Sequence, residues 1–380
     1  MPNTNSYIFI AILFYLKLRS RIRNRHYITK HDLIHKDYSA WKLLYNNQSD
    51  KAFIDSTGLN ISTFNYLLNL IQQYNVTNNY SLCNKYRSVG RPNTLDISSQ
   101  LALTLYHLNS TMKQKTLCQI FSATPGIVSR TIHNILKALN DVLSVDHNSR
   151  IEWSDEKSMT EFATQIKERH PYLPDRVFGF MDGVYFPCEN NPDPQVQNRY
   201  YNGWKGGPTV TNILVFTPDG CISYAVLNFP GSINDNKLAR RVYEMLEYHT
   251  TSDFKILADS AFQFAHRRII TPYKSNQLNY DNPLILEQQV RLHRRVIQAR
   301  QAAEWGMGAL QGIFGRLKLP LSGTDFAYNG LLLSVCCRLF NLRTRLMEEG
   351  NQIKTIFNSD YLRNMFRENS DYLQRFYNIV

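Results

Sequence analysis

Residues 177–187 read VFGFMDGVYFP and residues 254–262 read FKILADSAF. Val177 to Met181 is short and apolar, bounded by Asp182–Gly183, and reads as a β-strand. Phe254 to Ala258 reads as a second strand, ending at Asp259. Between them, VTNILVFT (210–217) and CISYAVLNF (221–229) form an antiparallel pair across a tight Pro-Asp-Gly turn. Asp235 to Tyr248 carries a helical pattern, residues 285–311 a long one, and residues 325–347 a largely buried one. Hairpin, helix and strand in this order predict an α/β unit, a mixed sheet with helices packed on it.

In this reading Asp182 and Asp259 each follow a strand, and strand ends are where α/β folds place their chemistry. If the two strands are neighbours, the carboxylates come close enough to repel, and one gains a proton unless a cation intervenes. Mg²⁺ or Mn²⁺ removes that cost and prefers hard oxygen ligands. Glu304 lies on the long helix, in RLHRRVIQARQAAEWGMGALQGIFGRLK, and a helix leaning across the sheet supplies it as a third ligand. Three such acids can hold two metals, the arrangement used to cut and join phosphodiesters. Taken singly, each acid has a plainer role, since an Asp after a strand often caps a helix or closes a turn.

The balance of the 380-residue chain is basic: Lys and Arg number 43, Asp and Glu 31, for a formal net charge of +12. That favours a polyanionic partner and says nothing of fold. The six cysteines form no CxxC pair, and Cys336–Cys337 sit in an apolar run, so neither a disulfide framework nor a cysteine zinc site is expected. A reducing, intracellular compartment fits. Near the start, YIFIAILFYL (7–16) precedes the basic run KLRSRIRNRH. A signal peptide has its charge first, and a span needs about 20 apolar residues. The expectation is an amphipathic or partly buried helix, no membrane span, and an Arg-rich end facing solvent or an anion.

Residues 1–92 read as a helical region; ISTFNYLLNLIQQY (61–74) sets Phe64, Leu67, Leu68 and Ile71 on one face. Asn75 to Pro92 reads as a loop with Lys85, Arg87 and Arg91. Residues 93–150 form the next unit. There QKTLCQIF, a turn at Ser122–Pro125 and a longer helix make a helix-turn-helix pattern, with Leu117, Ile120 and Phe121 facing Val128, Ile132, Ile135 and Leu136. Exposed Arg130, His133 and Lys137 would meet a groove or phosphates, although such helix pairs also serve as packing units. Residues 146–173 read as a linker and one helix, 174–347 as the α/β domain, and 348–380 as a helical tail.

Several residues around the acids invite a polyanion. YYNGWKGGPTVTN (200–212) offers Trp204 and Lys205 to a base or phosphate, or is simply a Gly-rich turn. Asp235, just inside a helix start, supports the metal site or positions DNA, or else caps its helix. Arg294, Arg295, Arg300, Arg316 and Lys318 gather positive charge near Glu304, to hold phosphates or to solvate a long helix.

Taken together, FGFMDGVYFPCE, YYNGWKGGPTVTNILVFTPDG, FPGSINDNKLARR, ILADSAF, ITPYK and AAEWGMGALQGIFGRLKLPL resemble, in order over residues 178–321, the PIF/Harbinger class of DDE transposases and their domesticated relatives. The helical part around 95–145 resembles the region upstream of the catalytic domain in that class. The resemblance implies an RNase H-like catalytic core, with the three catalytic acids on Asp182, Asp259 and Glu304, and a Pro-Gly-Ser…Asp motif on Pro230, Gly231, Ser232 and Asp235. Phe262 stands where the class often has Tyr, and the segment from Glu304 to Gly315–Lys318 is longer than in many relatives. The implied activity is hydrolysis at transposon ends with two divalent ions, Mg²⁺ or Mn²⁺, followed by strand transfer. Implied partners are double-stranded DNA, a separate Myb-like DNA-binding protein and a second copy, in the nucleus.

Two other readings compete. A domesticated relative would bind DNA or protein with little or no cleavage. The other is an unrelated basic α/β hydrolase or binding scaffold; the sequence has no nucleophile elbow, P-loop or GxGxxG loop, so no rival chemistry declares itself.

Overall fold

The computed structural model describes residues 4–26, 28–77, 94–251, 253–263, 266–347 and 350–357. The chain divides into two compact units, Met1–Val142 and Leu143–Val380.

The first unit is helical. Its elements are α1 (Thr4–His26), α2 (Ala40–Asn47), α3 (Asp50–Thr57), α4 (Ile61–Thr77), α5 (Ile97–Asn109), α6 (Gln114–Phe121) and α7 (Pro125–Val145), the last running past the division. Local chemistry sets the ends. Ser39 caps α2 by accepting from Lys42 N–H at 3.3 Å, and Asp96 caps α5 by accepting from Ser99 N–H at 2.8 Å. Gly58 ends α3 at φ 77°, a left-handed conformation that glycine adopts without a Cβ penalty. Trp41 anchors the core, its ring centroid 5.7 Å from Phe53 and 5.8 Å from Phe64 and Phe121, with its indole N–H on Ser99 Oγ at 3.2 Å. Burying each such ring is worth roughly 1.5–3 kcal/mol.

As the periodicity of residues 61–74 requires, Phe64, Leu67, Leu68 and Ile71 are all buried. The α6–α7 pair turns at Ser122, with φ 49°, and Pro125 opens α7, where its missing N–H costs nothing. The start of the chain departs from expectation. Ile8, Phe9, Ile10, Leu13, Phe14 and Leu16 of α1 are exposed, so the apolar run of this helix is not buried. Among the described residues no helix is long and apolar enough to cross a membrane. Most of the segment read as a loop after Asn75, and Cys83, lie outside the described residues, as does the tail beyond Phe357.

The second unit is a mixed sheet flanked by helices. After α8 (Glu156–Arg169) come β1 (Val177–Pro187), α9 (Pro194–Tyr200), β2 (Tyr201–Asn202), β3 (Gly207–Phe216), β4 (Ile222–Pro230), α10 (Asp235–Leu238), α11 (Arg240–Tyr248), β5 (Lys255–Ala258), β6 (Ile269–Ile270), α12 (Pro283–Ile313), α13 (Phe326–Leu346) and α14 (Gln352–Phe357). The strand order is β2-β3-β1-β5-β6, with β4 also pairing β3. β1 pairs antiparallel with β3 and parallel with β5. The β3–β4 hairpin turns at Gly220, with φ 81°.

Two expectations change. β1 does not stop at Met181; it continues through Asp182 to Pro187, because its second half pairs residue by residue with Thr209–Leu214 of β3. The helix expected from Asp235 to Tyr248 is two pieces joined at Ala239.

One face of the sheet, with Phe178, Met181, Ile213 and Val215, packs on Met159 of α8 and on Leu238, Val242 and Leu246 of α10 and α11. Phe180 and Phe216 belong to the other face, Phe180 meeting Phe357 of α14 at 5.4 Å and Phe216 meeting Phe340 of α13 at 6.2 Å. α12 lies close there, since its inner stripe is small: Ala299, Ala302, Ala303 and Gly306 are all buried. A Cβ on Gly306 would stand 2.6 Å from the Phe216 ring. Cys336 and Cys337 pack as core residues, and all five described cysteines are free. At the start of β4, buried Asn341 of α13 accepts from Ile222 N–H at 2.8 Å and donates to Ile222 O at 2.9 Å, while Asn351 donates to Gly220 O at 2.9 Å.

Candidate active site

Strand register brings the two aspartates together. Met181 of β1 pairs with Ala258 at the end of β5, so Asp182 and Asp259 are the next residues along two parallel neighbours. Asp182 stays in the strand, accepting from Gly183 N–H at 2.8 Å. Asp259 leaves the sheet and opens a 3-10 turn, accepting from Ser260 N–H at 2.7 Å; Phe262, buried, anchors that turn. Glu304 reaches the same place from α12, carried in by the small-residue stripe.

The three acids meet around one guanidinium. Arg300 places Nη1 3.5 Å from Asp182 Oδ2, Nε 4.0 Å from Asp259 Oδ1 and Nη2 2.8 Å from Glu304 Oε1. Its side chain is 16% exposed, against 20% for Asp182, 42% for Asp259 and 52% for Glu304. Burial is the chief reason that the Asp182 carboxyl is pushed up to about 6. The Gly183 N–H and Arg300 pull it down; Asp259 and Glu304 push it up. Arg300, one of the arginines expected to hold phosphates or to solvate the long helix, lies among the three acids.

Asp235 belongs to a second cluster. Asn234, not Asp235, caps α10, accepting from Asn236 N–H at 2.9 Å. The Asp235 carboxylate accepts from Tyr185 O–H, and its other oxygen is buried without a hydrogen-bond partner among the described residues. Burial raises the Asp235 carboxyl, and Asp259 adds to the rise, while the Tyr185 bond and Lys205 oppose it. A Cβ on Gly183 would meet Asp235 Oδ2 at 3.5 Å, so glycine after Asp182 leaves room for this carboxylate. Lys205 Nζ sits 5.1 Å from the Tyr185 ring centroid. Sequence reading missed Tyr185; its spacing two residues beyond Gly183 on one strand was the available signal.

The remaining candidates scatter. Trp204 is 92% exposed. Arg295 turns to Tyr172, 5.4 Å over its ring, and bonds Gln298 at 3.1 Å. Arg294 and Lys318 are exposed, and Arg316 is half-buried with its Nε unbonded. In the helical unit Arg130, His133 and Lys137 are exposed, and Arg130 Nε donates to Gly126 O at 3.0 Å.

Among the described residues no group of three His, Cys, Asp or Glu stands at metal-holding spacing. The donor set nonetheless fits a hard divalent ion. All three acids offer oxygen, and all three turn to one cationic centre.

The family model described as DDE superfamily endonuclease matches residues 181–341, a span holding all three acids and Asp235. This segment carries a DDE-superfamily endonuclease domain. The match begins one residue before Asp182, inside β1, and ends at Asn341 of α13, so the matched span is less than half of the chain. No curated protein and no solved structure matches the chain.

Proposed function

We propose that the protein is a divalent-metal-dependent DNA endonuclease of the transposase type, cutting phosphodiesters at element ends and joining the freed 3′-OH to target DNA. The observation that carries this is the convergence of Asp182, Asp259 and Glu304 on one cation inside the segment matched by the endonuclease family. Asp182, Asp259 and Glu304 are the residues that would hold two Mg²⁺ or Mn²⁺ ions. Bound there, the ions would activate the attacking oxygen and stabilise the departing one.

The chain's own groups do the rest. Gly183 N–H fixes one Asp182 oxygen and leaves the other facing the site. Arg300, Lys205 and the exposed Arg294 and Lys318 supply positive charge for phosphates, and Trp204 offers an open ring for a base. We read α6 and α7 as a helix-turn-helix that presents Arg130, His133 and Lys137 to DNA. Work on two DNA ends favours a dimer, end recognition is shared with a Myb-like partner, and the setting is the nucleus.

A second reading, a DNA-binding module without cleavage, draws support from the guanidinium lying where cations would sit. Nicking of labelled DNA with Mg²⁺ or Mn²⁺ separates the two. We expect cutting by the wild type, abolished by chelation and reduced at least about 10²-fold in Asp182→Asn, Asp259→Asn and Glu304→Gln. Tight DNA binding without cutting would favour the second reading. Cutting that survives in Glu304→Gln would remove Glu304 from the ligand set.

A further inference from the structure

We infer that Arg300 is the internal counter-ion of the acid site: without metal its guanidinium holds Asp182, Asp259 and Glu304 together, and divalent ions enter by displacing it. The inference rests on the metal-dependent reading above and adds to it a residue that metals must evict.

Contacts and charge both argue for this. One guanidinium lies within 4.0 Å of all three carboxylates, so it occupies their common centre instead of forming a fork on one of them. Among the described residues its hydrogen bonds are two, 3.5 Å to Asp182 and 2.8 Å to Glu304. Nε is buried and, among the described residues, donates to no acceptor. A structural arginine in a buried site is normally held by a full set of bonds. Here the guanidinium is spread over three carboxylates and leaves one donor unused, as expected of a cation held more by attraction than by a full set of bonds.

One positive charge against three negative ones also leaves the cluster under-neutralised. A hard dication brings twice the charge to one point and accepts carboxylate oxygens from several directions. Arg300 has a way out. It lies one helical turn before Glu304, which is half exposed, and its long stem can swing outward while α12 stays on the sheet. Turned out, it remains beside the acids, in reach of a phosphate approaching them.

The test is Mn²⁺ binding, read by electron paramagnetic resonance of the free ion, with thermal melting in EDTA and in Mn²⁺. It compares the full-length wild type, Arg300→Gln, Arg300→Lys and, as the site control, Asp182→Asn. We expect Arg300→Gln to bind Mn²⁺ about tenfold more tightly or better, because the ion no longer competes with a charge at contact distance. Its Tm should fall in EDTA and be restored by Mn²⁺, with a larger gain than the wild type shows. Arg300→Lys, whose ammonium cannot span three carboxylates, should also bind more tightly than wild type; it serves if the Gln variant does not fold. Affinity in a folded Arg300 variant equal to or weaker than wild type, with binding lost in Asp182→Asn, overturns the inference and leaves the metal reading standing. Mn²⁺ binding absent from wild type and Arg300 variants alike overturns both.

Discussion

Asp182 is an ionised acid held where ionisation is costly, and its stability effect has a definite sign. Its carboxyl moves up from the ordinary 3.8 to about 6, mainly through burial. A raised acid favours the protonated folded state, so the associated stability is full below about 4 and is lost as pH rises through about 6. Replacing Asp182 by Asn should therefore stabilise the metal-free protein at pH 7, by an order of magnitude of 2–3 kcal/mol at about 1.4 kcal/mol per unit. The gain should vanish below pH 4, and chemical denaturation in EDTA at both pH values checks it. A loss at pH 7 would mean that the contact with Arg300 outweighs the burial. At this scale Asp182 and Asp259 drew attention because each ends a short apolar run, a pattern visible without coordinates, whereas Glu304 was offered from a basic stretch of the long helix. Arg300 was not. Its Arg-rich surroundings at Arg294 and Arg295 pointed to a solvated face, and only the rotation of α12 decides which arginine turns inward. Tyr185 stayed hidden for a related reason, since its partner Asp235 is far along the chain.

Elements place the acids, and α12 places the most distant one. Its approach to the sheet depends on Gly306, where any Cβ would press into the fully buried Phe216 ring at 2.6 Å. Gly306→Ala should cost about 1–3 kcal/mol by overpacking. It should also lower cutting more than DNA affinity, because Glu304 is lifted from the aspartates while the basic surface is retained. Melting curves and paired nicking and binding assays check this. The helix itself was plain from its pattern, and so were the hairpin and β5. Two boundaries were not. β1 outruns its apolar stretch because pairing with β3, a long-range event, continues the strand past Asp182. The break at Ala239 leaves no punctuation in FPGSINDNKLARR. The apolar run in α1 misled differently: composition announces burial, but exposure depends on what packs against a helix, and its side chains from Ile8 to Leu18 meet solvent.

For the whole molecule, the excess of 43 basic over 31 acidic residues is the feature most directly testable. If DNA is held mainly through phosphates, its affinity must fall steeply with salt. Six or more contacts would lower it roughly 10³-fold between 50 and 200 mM. A fluorescence-anisotropy titration across that range checks it, and a flat response would mean that the surplus charge faces elsewhere. Fold class was legible at this scale because strands, hairpin and helices follow one another in an order that few architectures accept. How the sheet ends was not legible, since that depends on single side chains arriving from helices much later in the chain. Asn341 and Asn351 arrive in this way at the start of β4, filling the peptide groups of Ile222 and Gly220 that turn away from β3. A side-chain amide thus stands in for a neighbouring strand, and the flank is blunted against zipping onto another chain. Any second chain reaching this rim would have to meet it through side-chain surfaces, and partial unfolding around Asn351 would bare it to aggregation.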